Sequence, residues 1–321
     1  MPIAHPEPAV LKVGTRPSPL ALIQTRTFLV ALEAAGALDN TFAGAEEHVI
    51  RTTGDAVQDR SLADIGGKGL FAKEIHGALL DRRIDLAVHS LKDLETILPD
   101  GIVLGCTLPR EDPRDALILP GSTAAPDPAE PWRVLPHGAT VGTNSVRRQA
   151  QLLHARPDLR IASLRGNVGT RLDKLAAGAC DATLLALAGL RRLGMAERAS
   201  VVLDPATMLP SSCQGILGVT VRAGDAALRT LLAQVEDAAA RAAAEAERAL
   251  LGALDGSCRT PIGAHATLLA DGTLHLAGLV ARGDGSFLLR RSLAGPAVDA
   301  ARIGRALGAG LRADSPADLF A

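Results

Sequence analysis

The sequence predicts an α/β fold in two domains, followed by a smaller α+β module. Three observations carry this. Strand-like and helix-like segments alternate through the first two thirds of the 321 residues, the pattern of largely parallel sheets covered by helices. Two punctuated stretches, Pro109–Pro113 and Pro205–Gly215, interrupt the alternation as candidate crossings between domains. Beyond Ala226 the pattern changes to Ala-rich helix and then to strand-like runs separated by Asp-Gly and Gly-Asp-Gly turns.

Leu11–Gly14 reads as a first strand. The turn after it places Pro19 in the first turn of a helix reaching about Ala35. Val49–Thr53 is a second strand, Lys68–Asp81 a helix, Ile84–Val88 a buried strand and Ile102–Cys106 another. Pro126, Pro128, Pro131 and Pro136 mark a surface loop. The alternation resumes with strand Thr140–Val141, helix Val146–Ala155, strand Arg160–Ser163, helix Arg171–Ala177 and strand Ala182–Ala186. Ala226–Leu254 is one long helix or two shorter ones, ended at Asp255-Gly256-Ser257. Ala264–Leu269, Thr273–Ala281 and Phe287–Ser292 form an antiparallel meander, and Ala300–Leu311 supplies a last helix.

Composition narrows the function. Lys plus Arg is 34 against 35 for Asp plus Glu, a net charge of −1, which excludes a globally basic nucleic-acid binder. Five Phe, one Trp and no Tyr exclude a stacking platform for single strands. With 21% charged and 47% hydrophobic residues the chain is not of the disordered class. The opening MPIAHPEPAVLKVG is not a signal peptide, and the longest apolar run, Ala182–Leu190, falls short of the roughly 18 residues of a membrane span. A cytoplasmic protein with no membrane partner is expected. The four cysteines form no C-x-x-C pair and the eight histidines show no ligand spacing, so free thiols and no metal site are expected.

The near-zero charge hides a local excess. Between Arg147 and Lys174 stand Arg147, Arg148, Arg156, Arg160, Arg165, Arg171 and Lys174, opposed only by Asp158 and Asp173. Arg156 and Arg160 flank Pro157 and read as solvated loop charges. Arg147 and Arg148 follow a strand–turn–helix start, and Arg165-Gly166-Asn167 opens another, as sites that cradle an anion do. Val13-Gly14-Thr15 and Val141-Gly142-Thr143 echo one another, which suggests one anionic ligand held between two domains. Ordinary turn and cap chemistry uses the same residues. Gly66-Gly67-Lys68-Gly69 lacks the first Gly and the Ser/Thr of a nucleotide-binding loop and reads as a mobile lid. His89-Ser90-Leu91-Lys92-Asp93 lies just past the carboxyl end of a strand, where open α/β sheets place ligands. Asp93 there is either a surface partner of Lys92 or an acid or charge stabiliser. Cys258 stands in a turn-rich loop beside Arg259, which favours the thiolate. Cys106 and Cys180 sit in or beside apolar segments as packing residues.

Eight stretches in order, GTRPSPLALIQ (14–24), GGKGLFAKEI (66–75), DLAVHSLKD (85–93), REDPRDALI (110–118), VGTNSVRRQAQL (141–152), LRGNVGTRLDKL (164–175), LALAGLRRLG (186–194) and LDGSCRTPIG (254–263), closely resemble the porphobilinogen deaminase family over nearly the whole chain. The resemblance implies a cytoplasmic, monomeric transferase that joins four porphobilinogen units head to tail, loses ammonia at each step and releases hydroxymethylbilane. It implies a dipyrromethane cofactor bound by thioether to Cys258, with Asp93 catalytic. It assigns substrate and cofactor carboxylates to Arg16, Ser18, Lys92, Thr143, Ser145, Arg147, Arg148, Arg165, Gly166, Arg171 and Arg192, and a lid to Lys68 and Phe71. The implied fold is two hinged, doubly wound α/β domains like type II periplasmic binding proteins, residues 1–110 with 212–233 and residues 111–211. A smaller α+β domain, 234–321, carries Cys258. Glu95 departs from the family, whose members usually have Pro there. The residues alone also suit a non-enzymatic two-domain anion-binding protein, which would need neither Cys258 nor a third domain.

Overall fold

Strand β1 (Ala9–Thr15) buries Leu11 and then Val13, Gly14 and Thr15. The computed structural model in which it was traced describes residues 9–38, 42–56, 69–121, 126–254 and 260–320. Helix α1 (Pro19–Ala34) starts where Ser18 Oγ accepts from the Ala21 N–H, with Pro in the first turn, and it buries Ala21, Gln24, Thr25, Phe28 and Leu32 along one stripe. Strand β2 (Phe42–Val49) pairs in parallel with β1. This corrects the expected strand at Val49–Thr53. Its Ala, Gly and Glu content hides β2 from propensity, and the ladder to β1 holds it there. At Thr52 the chain leaves the sheet, because Asp55 takes the Thr52 N–H and hydroxyl and starts the single turn α2 (Thr53–Ala56).

Helix α3 (Lys73–Leu80) begins later than Lys68, since Gly69 at φ +78° and the turn after it precede the helix. Strand β3 (Leu86–Ser90) is followed by a 3₁₀ turn, Leu91–Asp93, and then β4 (Ile102–Thr107). Strand β5 (Asp115–Ile118) comes directly after the first crossing. Then follow β6 (Thr140–Gly142), α4 (Val146–Ala155), β7 (Arg160–Ala162), α5 (Val168–Ala176), β8 (Ala182–Ala186), α6 (Leu187–Arg192) and β9 (Val201–Val202). Helix α5 begins three residues ahead of the expected start, capped by Asn167, whose Oδ1 accepts from the Thr170 N–H. Strand β10 (Leu217–Arg222) follows the second crossing. The Ala-rich stretch is two helices, α7 (Ala226–Ala233) and α8 (Ala238–Ala253), the second capped by Asp237. Strands β11 (Ile262–Leu268), β12 (Thr273–Ala281) and β13 (Leu288–Pro296) form the meander, and α9 (Ala300–Ala313) packs on it.

The two five-stranded sheets share one plan. Their orders are β2-β1-β3-β10-β4 and β7-β6-β8-β5-β9. In the first, β1 runs parallel to β2 and β3 while β10 is antiparallel to β3 and β4. In the second, β6 runs parallel to β7 and β8 while β5 is antiparallel to β8 and β9. The antiparallel member of each sheet is the strand laid down right after a crossing. The described parts of Met1–Val57, Gly69–Pro109 and Leu217–Arg241 form one compact unit, and those of Arg110–Ile216 and Ala242–Ala321 the other.

In the first unit Leu11, Val13, Phe28, Leu32, Leu86, Val88 and Val219 close the core. The second unit holds the other five-stranded sheet and the meander, joined through Ala150, Leu209, Leu279 and Ala281. Its polar anchor is Glu247, fully buried on α8. Glu247 accepts from Arg110 Nη1 at 2.6 Å, from the Cys213 N–H and from the Ala266 N–H, so one carboxylate holds both crossing segments and β11.

Candidate functional site

Gly14 lets β1 pass close to Ile84, whose side chain a Cβ would strike. Arg16 follows at the carboxyl end of that strand, and Asp93 lies in the turn after β3. Arg16 Nη2 is 2.5 Å from Asp55 Oδ1 and its Nε donates to Asp55 Oδ2 at 3.3 Å. Its Nη1 stands 4.0 Å from Asp93 Oδ2, and the guanidinium covers the Phe71 ring at 4.1 Å from the centroid. Gln24 Nε2 donates to Ser90 Oγ at 2.9 Å. Arg16, Ser18, Gln24, Phe71, His89, Ser90 and Asp93 line one concavity in the first unit. It encloses about 60 Å³, room for a ring edge or a carboxylate, against roughly 300–1,000 Å³ for a pocket that takes a whole small ligand.

The electrostatics follow from burial. His89 is pushed down to about 3, first by burial and then by His76 and Arg16, so it lines the concavity as a neutral imidazole. Its Nε2 is 2.9 Å from Thr220 Oγ1. Burial would raise the Asp55 carboxyl, but hydrogen bonds from Arg16 and Thr52 win and hold it below the usual carboxylate range. Lys92 shares the 3₁₀ turn with Asp93. Glu95 lies against Gly69, where a Cβ would overlap its carboxylate.

The second unit repeats the strand–turn–cap arrangement. Thr143 Oγ1 accepts from the Ser145 N–H and Ser145 Oγ from the Arg148 N–H, as Ser18 does on α1. Arg147 and Arg148, read from sequence as anion-ligand candidates, are both buried and share Asp115. Arg147 Nη2 is 2.8 Å from Asp115 Oδ2 and Arg148 Nη2 is 2.8 Å from Oδ1, while their Nη1 atoms donate to Leu209 O and Leu184 O. Burial opposes the Asp115 charge, yet the two guanidinium groups keep its carboxyl far below the usual range. Arg156 is not a solvated charge. It binds Asp158 and the carbonyls of Trp132 and Leu135, pinning the Pro-rich loop. The charge excess between Arg147 and Lys174 is thus partly neutralised within its own fold.

Gly166, at φ +118°, carries the backbone into α5, and Arg171 Nε donates to its carbonyl at 2.8 Å. Arg192 Nη2 donates to Gly215 O at 2.7 Å. Arg16, Ser18, Phe71 and Asp93 therefore meet in one unit, and Thr143, Ser145, Arg147, Arg148, Arg165, Gly166, Arg171 and Arg192 belong to the other. Lys68 and Cys258 lie outside the described residues. Sequence reasoning missed Gln24, Asp55 and Asp115. Only Asp115 carried a signal, a carboxylate opening the apolar run Ala116-Leu117-Ile118.

A family model described as porphobilinogen deaminase, dipyromethane cofactor binding domain, matches residues 11–230, and one described as its C-terminal domain matches 241–313. The chain belongs to the porphobilinogen deaminase family. The porphobilinogen deaminase of Syntrophobacter fumaroxidans is 48% identical over 93% of both chains. That of Paracoccus denitrificans is 48% identical over 97% of this chain and 96% of its own. A periplasmic domain of Bordetella pertussis BvgS aligns over 70% of this chain and 86% of its own, at 15% identity and a TM-score of 0.39.

The residues fit the family's cofactor. Arg147 Nε, Arg148 Nε and Arg165 Nη1 are buried and have no hydrogen-bond acceptor among the described residues. Each such donor costs free energy unless an acceptor reaches it. A dipyrromethane, with an acetate and a propionate on each ring, brings carboxylates of matching charge and planar geometry.

Proposed function

We propose that this chain is a hydroxymethylbilane synthase. It condenses four porphobilinogen molecules stepwise, losing one ammonia at each step, onto a dipyrromethane primer and releases linear hydroxymethylbilane. The observation that carries this reading is the Asp93 carboxylate at the end of β3, beside Arg16, in a chain of this family. When bound, the cofactor supplies a pyrrole with a free α-carbon as the growing end. Cys258, in Gly256-Ser257-Cys258-Arg259-Thr260-Pro261, is its attachment point by thioether, a reading supported by the sequence motif.

Asp93 accepts hydrogen bonds from pyrrole N–H groups. As a new carbon–carbon bond forms, positive charge develops on pyrrole nitrogen, and a fixed carboxylate offsets it better than mobile water. The same carboxylate can hold the proton released at the new bond and pass it on. Neutral His89 adds no competing positive charge to the wall. Arg147, Arg148, Arg165, Arg171 and Arg192 hold acetate and propionate groups, with Thr143, Ser145 and the Gly166 turn shaping their approach. Ser18 and Lys92 serve the Asp93 side, with Phe71 beside Arg16. Among the described residues no helix is long and apolar enough to cross a membrane. We read the protein as a cytoplasmic monomer of three domains (1–110 with 212–233, 111–211 and 234–321).

The test is turnover. Purified protein given porphobilinogen should release one ammonia per porphobilinogen consumed and form hydroxymethylbilane. Asp93→Ala should keep its circular dichroism and lose on the order of a hundred-fold or more in turnover. Porphobilinogen left unconsumed by folded wild type carrying its cofactor would reject the reading.

A further inference from the structure

The first unit holds an arginine that is already engaged. Asp55 takes the side-on edge of Arg16, with Nη2 at 2.5 Å and Nε at 3.3 Å, the bidentate geometry in which an arginine would otherwise clasp a substrate carboxylate. Asp55 is itself fixed, since its Oδ2 accepts from Thr52 Oγ1 at 2.7 Å and from the Thr52 N–H at 3.2 Å. Phe71 covers the guanidinium face. What remains is the Nη1 end, which stands 4.0 Å from Asp93. The Asp55 side chain is 12% exposed and that of Asp93 37%, so the inner carboxylate holds the cation and the outer one faces the concavity.

We propose that Asp55 is a positioning residue for the reaction. It clamps Arg16 so that this cation stays beside Asp93 without closing on it. If Arg16 were free to close on Asp93, it would quench the charge that stabilises the pyrrole cation, and Asp93 would have to give up an ion pair at every addition. The hydrogen bonds from Arg16 and Thr52 also keep Asp55 ionised under ordinary conditions. The inference rests on the proposed function, in which Asp93 is catalytic.

Asp55→Asn keeps the shape and removes the charge. In cofactor-loaded enzyme its kcat should fall about ten- to a hundred-fold, as for a misplaced catalytic group, while KM changes less than about three-fold. Asp55→Glu should recover part of the loss. An independent arm needs no turnover: phenylglyoxal labelling read by peptide mass should modify Arg16 several-fold faster in Asp55→Asn than in wild type. Unchanged kcat, a change confined to KM, or unchanged labelling of Arg16 in the folded variant would overturn the proposal. Inactive wild type with faster Arg16 labelling in Asp55→Asn would instead strike the proposed function and leave the clamp standing.

Discussion

Arg148 Nη2 lies 2.8 Å from Asp115 Oδ1, and both side chains are buried. Arg147 reaches the other oxygen and Gln214 Nε2 donates to Oδ1 at 2.8 Å, so one carboxylate joins α4, β5 and the second crossing segment. Asp115→Asn should therefore leave two buried guanidinium groups short of a counter-charge and cost about 3–5 kcal/mol in urea unfolding at pH 7. The folded carboxyl titrates far below its unfolded value near 3.9, so this contribution is present above that value and fades as the pH falls below it. A loss under 1 kcal/mol would mean the pair is solvated.

His89 gives a second pH dependence of the same sign and a different window. Its folded value is about 3 against about 6.5 unfolded. Between those values the unfolded chain binds a proton that the folded chain refuses. Stability should drop by about 1.4 kcal/mol per pH unit from 6.5 downward on this account. His76, also lowered by burial, adds to it. His89→Gln should flatten the slope by one proton, measured as urea midpoints between pH 7 and 4.5. An unaltered slope would show that His89 titrates normally.

β3 and β8 were legible because their apolar runs alternate with helix patterns along the chain, whereas β5 and β10 stand directly after crossings, outside that alternation. Their partners also lie far away in sequence: Thr220 sits opposite Ala87, and Leu117 opposite Leu184. Short apolar runs do not declare such partners. The site divides in the same way. Arg16, Asp93 and Phe71 were legible from their motifs and do meet. Asp55 and Asp115 were not, since a lone acidic residue acquires meaning only when folding brings it to a cation 39 or 33 residues away. The Arg147–Lys174 count overstates the local field, because Asp115, which pairs with two of its arginines, lies outside the segment counted.

Arg165 separates function from stability. Its Nη1 is buried without an acceptor among the described residues, an arrangement that costs the fold about 1–3 kcal/mol. Arg165→Leu should accordingly unfold no more easily than wild type. Its elongation should stall, seen by intact mass as enzyme accumulating at one pyrrole-chain length. A destabilised variant with a normal distribution of chain lengths would make Arg165 a structural residue.

The attachment cysteine can be singled out by elimination in the test tube. Cys106, Cys180 and Cys213 are buried, and burial pushes the thiols of Cys106 and Cys213 up to about 12 and raises that of Cys180. Thiols held protonated and enclosed are poor nucleophiles. Purified protein should thus exceed its polypeptide mass by two linked porphobilinogen units. The excess should persist in Cys106→Ala, Cys180→Ala and Cys213→Ala and vanish in Cys258→Ala. Bare polypeptide mass in active wild type, or an excess that survives Cys258→Ala, would refute attachment through Cys258.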